Sequence, residues 1–159
     1  MSELSVQIVH VTFQETIAWG GIPITIACEG QSVGLVVTDC CDPFPAMLRW
    51  LEAITTGVQC CSFDIDEEGT DKRFSLEQTW NGSRFSIVDK YYEPEIFIRS
   101  DVNSVQLVQA FYMGLVEYAR SPLYTKAHWH DKPSLHLGCN LSELKSPIIE
   151  NWLSERRSP

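Results

Sequence analysis

The side chains best suited to chemistry lie in one stretch near the C-terminal end, where His128 and His130 are followed by His136 and Cys139. In an extended segment His128 and His130 share a face, and His136 with Cys139 has a familiar ligand step. A zinc ion held there would polarise a carbonyl or activate a water. No paired Cys-x-x-Cys supports the cluster, and Asp131-Lys132-Pro133 within it reads as a generic connector. The stretch is therefore expected to be a polar link with surface histidines, and no metal or cofactor is assigned. A Cys–His nucleophile could be drawn from six cysteines and four histidines, but spacing alone brings no pair within hydrogen-bond reach. The Gly-x-Ser-x-Gly elbow, the phosphate-binding P-loop and the Gly-x-Gly-x-x-Gly fingerprint are absent.

A second constellation is acidic. Asp64, Asp66, Glu67, Glu68 and Asp71 surround Gly69 in what reads as a hairpin tip. The spacing is not that of an EF-hand, and no bidentate Glu falls at the closing position. Such runs are commonly solvated turns. Read functionally, these five carboxylates form a projecting surface that recognises a basic protein partner, because complementary charge speeds association. Tyr91, Tyr92 and Tyr124 are candidate aromatic anchors for that interface. Neutralising Asp64, Asp66, Glu67 and Glu68 together is expected to leave the fold intact and to slow association.

These residues need elements to position them. The central one is Asp42 to Gly57, an amphipathic helix with Met47, Leu48, Trp50, Leu51, Ile54 and Val58 along one side. Asp42 is placed to cap it, Pro43 and Pro45 fit its first turn, and Gly57 stops it. Strands are expected at Leu4 to Phe13, Ile22 to Cys28 and Val33 to Thr38, with Trp19-Gly20-Gly21 and Glu29 to Ser32 as turns. In the middle of the chain Cys61, Phe63 and Ile65 alternate with polar residues. Phe74, Leu76 and Trp80 do likewise, and Asn81-Gly82 follows as a two-residue hairpin signal. Arg84 to Val88 returns, and a turn at Tyr91-Tyr92-Glu93-Pro94 leads to a last strand, Glu95 to Arg99. Asp101 or Asn103 caps a helix from Ser104 to Arg120, ended by Ser121-Pro122. Ser146-Pro147 opens a C-terminal helix to Arg157. The fold class is α+β, an antiparallel sheet of about six to seven strands packed on two main helices, with the C-terminal helix covering an edge or end.

All 159 residues form one domain by length and composition, with 44% hydrophobic and 21% charged residues. At an offset of 61 residues, residues 22–58 and 84–120 both run strand, turn, strand, helix, as a worn ββα duplication would. A net charge of −9 disfavours nucleic acid and anionic membrane surfaces. No apolar run reaches membrane-spanning length, and the start lacks a secretory signal pattern. The adjacent pairs Cys40-Cys41 and Cys60-Cys61 make a poor disulfide framework, so the thiols are read as reduced core residues in a cytoplasm.

Three segments carry a likeness: DPFPAMLRWLEAI, FDIDEEG and SVQLVQAFYMGLVEYARSP. Together they resemble a group of small bacterial proteins of unassigned function, some associated with immunity or accessory genes beside toxin systems. The resemblance implies a bacterial cytoplasmic, immunity-like protein and brings no catalytic residues with it. The expected function is thus a non-enzymatic acidic protein-binding module. A small-molecule or metal-dependent enzyme using His128 to Cys139 is the alternative. A homodimer is compatible with a chain this size, since sheet edges must be covered or paired.

Overall fold

The computed structural model describes residues 8–17, 20–38, 41–91, 95–126 and 145–157. Seven strands and four helices follow one another: β1 Val9–Phe13, β2 Ile22–Cys28, β3 Gln31–Val37, α1 Phe44–Thr55, β4 Cys60–Asp66, β5 Asp71–Thr79, β6 Gly82–Asp89, β7 Ile96–Val102, α2 Ser104–Arg120, α3 Pro122–Lys126 and α4 Pro147–Arg157. The class is α+β, as the alternation of residues required. The strands divide between two antiparallel meanders, β1-β2-β3 and β4-β5-β6-β7, where one sheet was expected.

The division follows from where the chain spends its links. Links of two to eight residues join the strands within each meander, and α1 carries the chain from the first to the second. Each main helix then packs on the outer strand of the other meander's sheet: α1 against β4, and α2 against β1. An outer strand with a helix against it is a poorer template for unwanted pairing. Trp50 illustrates the device. Its indole Nε1 donates to the Cys61 carbonyl of β4 at 3.2 Å, while its ring sits 5.0 Å from Phe63 and 5.4 Å, edge-on, from Phe111. At β1 the helix passes over the strand at Gly114, whose added Cβ would meet the Val11 carbonyl oxygen at 3.4 Å, an ordinary contact distance.

The two sheets meet where β3 lies beside β7. Here the amide of Gln31 imitates a peptide group. Its Nε2 donates to the Arg99 carbonyl at 3.2 Å, and its Oε1 accepts the Arg99 N–H at 2.8 Å. Glu29, in the left-handed region at φ 55, accepts the Ser100 hydroxyl. One continuous cluster of buried side chains joins both sheets to the helices, with Phe44, Phe74, Phe85 and Phe111 wholly enclosed.

α1 begins one residue later than its cap signal suggests. Asp42 Oδ1 accepts the Phe44 N–H at 2.9 Å, and Pro43 occupies the cap position. Five buried side chains on this helix, Phe44, Met47, Trp50, Leu51 and Ile54, contribute roughly 8–15 kcal/mol gross, before ordering entropy. Val58, expected on that stripe, is exposed beyond Gly57. α2 has the expected bounds, with the Asn103 side chain accepting the Val105 and Gln106 N–H groups. α3 was not expected. Pro122 ends α2 and fits the first turn of a new short helix.

α4 packs against α1 and α2 and does not cover a sheet edge. Its docking is polar at the start. Buried Ser146 donates its hydroxyl to Glu52 at 2.7 Å and accepts the Ile149 N–H, while its own N–H reaches the Tyr112 hydroxyl at 3.1 Å. Tyr112 in turn donates to Glu150 at 2.9 Å.

Two registers differ from expectation. Thr79 pairs with Gly82, so the β5–β6 turn is Trp80-Asn81, one residue earlier than Asn81-Gly82. Gly82 alone there takes a positive φ, 154, and Trp80 leaves the inward series of Phe74 and Leu76 to stand 96% exposed. The ββα order does occur twice, but the 61-residue offset does not carry through the pairing. Leu35 pairs with Ile24, whereas the partner of Phe85 is Ser100, four residues beyond the Ile96 that the offset would place there. The longer 90–95 link between β6 and β7 accounts for the shift.

Candidate functional site

The acidic residues gather at the β4–β5 hairpin tip, as their spacing required. Asp66 pairs with Asp71 to close the hairpin, and Glu68 and Gly69 turn the chain at φ 61 and 140. Beside the tip, Lys90 and Tyr91 follow β6, and Ile96 opens β7. Five carboxylates, an exposed tyrosine and an exposed isoleucine thus share one end of the four-stranded sheet.

The carboxylates differ sharply in what they already do. Glu67 is half-buried and structural: Oε1 accepts the Val36 N–H of β3 at 2.9 Å, and Oε2 accepts the Thr70 hydroxyl and the Lys72 ammonium. Lys72 faces inward on β5, and its Nζ lies 5.4 Å from the Phe97 ring. That ring is available because Phe97 is the extra residue where the β6–β7 register shifts between Ile87 and Val88. Glu67 therefore ties the two sheets together, and the expectation that it could be neutralised without harm to the fold does not hold. A buried cation left behind would lose its counter-charge.

Asp64 is held by Arg73 through a two-pronged contact, Nε to Oδ1 at 2.8 Å and Nη2 to Oδ2 at 3.2 Å, and by Lys90 at 2.9 Å. The Arg73 hydrogen bonds, with Lys90 adding to them, hold the Asp64 carboxyl below the ordinary carboxylate range. Asp71 accepts the Tyr91 hydroxyl at 3.1 Å and lies 3.7 Å from Lys90. That hydrogen bond to the neutral phenol pushes Tyr91 upward. Asp66 accepts the Glu68 N–H at 2.6 Å and the Cys41 thiol at 3.5 Å. Among the described residues three cations, Lys72, Arg73 and Lys90, stand against these carboxylates. Asp66 and Glu68 are the most exposed of the five.

As chemistry, this arrangement favours recognition over proton transfer. A general base needs a pKa near the working pH, and Asp64 is shifted away from it. Two of the thiols, Cys28 and Cys61, are not activated either. Burial pushes Cys28 up and Cys61 up to about 11, so both remain protonated at neutral pH.

Of the candidate anchors, Tyr91 is 64% exposed, Tyr124 is buried beneath Tyr118, and Tyr92 lies outside the described residues. His128, His130, His136 and Cys139 also lie outside them. Among the described residues no three His, Cys, Asp or Glu side chains gather as a metal site, and no helix is long and apolar enough to cross a membrane. Trp80 is the exposed aromatic that the sequence reading placed inside; its only warning was the Asn-Gly step, which is compatible with either of two turn registers. A second concave feature is an open groove of about 550 Å³ between α2 and α4, lined by Tyr112, Met113, Val116, Arg120, Leu153 and Arg157 among others. No family model, curated protein or solved structure matches the chain.

Proposed function

We propose that this chain is a non-enzymatic binding module of the immunity type, acting in a bacterial cytoplasm by meeting a basic protein partner with the acidic end of its four-stranded sheet. The observation that carries the reading is the joint placement of Asp64, Asp66, Glu67, Glu68 and Asp71 beside exposed Tyr91 and Ile96. Glu67 and Lys72 brace that end from within, and Arg73 holds Asp64 at the surface. Asp66 and Glu68 are the most exposed of the five carboxylates, and Tyr91 offers a rigid aromatic contact whose hydroxyl is already oriented by Asp71. Preorganised charge of this kind steers encounter and sets partner choice more than it adds affinity.

The test uses affinity capture of a basic partner, followed by binding kinetics with the double charge reversal Asp66→Lys and Glu68→Lys. These positions are chosen because Asp64 and Glu67 also support the fold. The association rate is expected to fall about tenfold or more at low salt, and the difference to shrink as salt screens it. A partner that associates equally fast with the reversed protein removes this surface from the reading.

A further inference from the structure

We propose that the chain self-associates head to tail, with Trp80 of one copy seated in the α2–α4 groove of a second copy. Trp80 projects from a two-residue turn at 96% exposure, so its indole gains nothing from its own fold. An aromatic of this kind offers about 200 Å² for burial against a partner, and tryptophan is enriched among the residues that dominate protein interfaces. The same molecule carries a recess between α2 and α4. Met113, Val116 and Leu153 give it an apolar floor, and its volume of about 550 Å³ falls in the range that receives large side chains and small ligands.

Charge selects this pairing over others. Arg120 and Arg157 end α2 and α4 and stand at the same groove, and neither forms an ion pair among the described residues. Glu150 lines the same groove, so two guanidiniums against one carboxylate leave its mouth positive by a single charge. The flank of the Trp80 hairpin is acidic in balance: exposed Glu77 and Asp101 stand on either side of a single Arg84. An indole face is also a favourable partner for guanidinium, and this molecule already makes one such contact, with Arg156 4.1 Å from the Trp152 ring. Trp80 is not among the residues of its own groove, so the contact joins two different surfaces and propagates as a ring or a short chain.

The experiment is sedimentation velocity and light scattering on the full chain under reducing conditions, from about 10 μM to about 1 mM at roughly physiological salt. Two variants accompany it: Trp80→Ala, which lacks the knob, and Arg120→Glu with Arg157→Glu, which reverses the mouth. Both change exposed side chains, and circular dichroism checks that each keeps the fold. The wild-type mass is expected to rise with concentration, while each variant stays monomeric. An equimolar mixture of the two variants is expected to form a closed heterodimer, because one supplies an intact groove and the other an intact tryptophan. A wild-type chain monomeric throughout, a Trp80→Ala chain that still associates, or a mixture without heterodimer would each overturn the proposal. Val116→Trp, which fills the recess, should reproduce the mouth variant if the indole enters the groove.

Discussion

Glu67 shows how little of a residue's role its charge conveys. It was grouped with four other carboxylates by proximity in sequence, yet its two oxygens serve a β3 amide and an inward-facing lysine. Glu67→Gln keeps the size and removes the counter-charge of Lys72. The expected loss is about 3 kcal/mol by urea denaturation at neutral pH, against less than about 1 kcal/mol for exposed Arg84→Ala. Trp50→Ala is expected to cost about 3–5 kcal/mol through its cavity, with the Cys61 carbonyl also losing its donor. A loss under about 1 kcal/mol would show that the aromatic cluster collapses around the gap. Asp64 provides a pH signature. Its folded pKa is depressed, so the Arg73 contact stabilises the fold above the ordinary carboxylate value and is lost as pH falls through the folded one. The stability gap between wild type and Arg73→Gln should therefore be full at pH 7, below about 1 kcal/mol because the pair is largely exposed, and should narrow below about pH 4.

The helices were the most legible elements. α2 has the expected Ser104 to Arg120 bounds because Asn103 can accept two backbone donors at one end and Pro122 blocks continuation at the other. What each helix touches was not legible. α1 and α2 exchange sheets, and only Gly114 hints at the intimacy of α2 with β1. Gly114→Ala is expected to be neutral or to stabilise by up to about 1 kcal/mol, since the new Cβ meets ordinary contact distances while helix propensity improves. Gly114→Leu should instead push α2 from β1, and thermal melts of the two variants would separate these outcomes. Hairpin register was legible only to within a residue. Asn81-Gly82 suits a left-handed turn, but a shift by one lets Gly82 alone take the positive φ and puts a tryptophan in solvent.

At the scale of the molecule, polar seams join the two short meanders beside their shared buried core. Gln31 substitutes a side-chain amide for a missing ladder bond to Arg99, and Glu29 and Glu67 add ties on either side of it. Gln31→Ala is expected to cost about 0.5–1.5 kcal/mol, since the exposed Arg99 groups exchange their partner for water. Native-state hydrogen exchange should then show the three-stranded sheet opening separately from the four-stranded one. Unchanged, uniform protection would mean that the shared core alone joins them.

By itself the sequence determined the α+β class, the three longer helices, the hairpin order and the gathering of the five carboxylates at one tip. All of these are local, set by periodicity, capping and turn chemistry within a few residues. The division into two sheets, the exchange of helices between them, the burial of Tyr124 and the inward turn of Glu67 were decided by tertiary structure. Each depends on which surfaces meet across long separations in the chain. Spacing along the chain carries no record of that, because an exposed carboxylate and one that bridges two sheets have the same local signature.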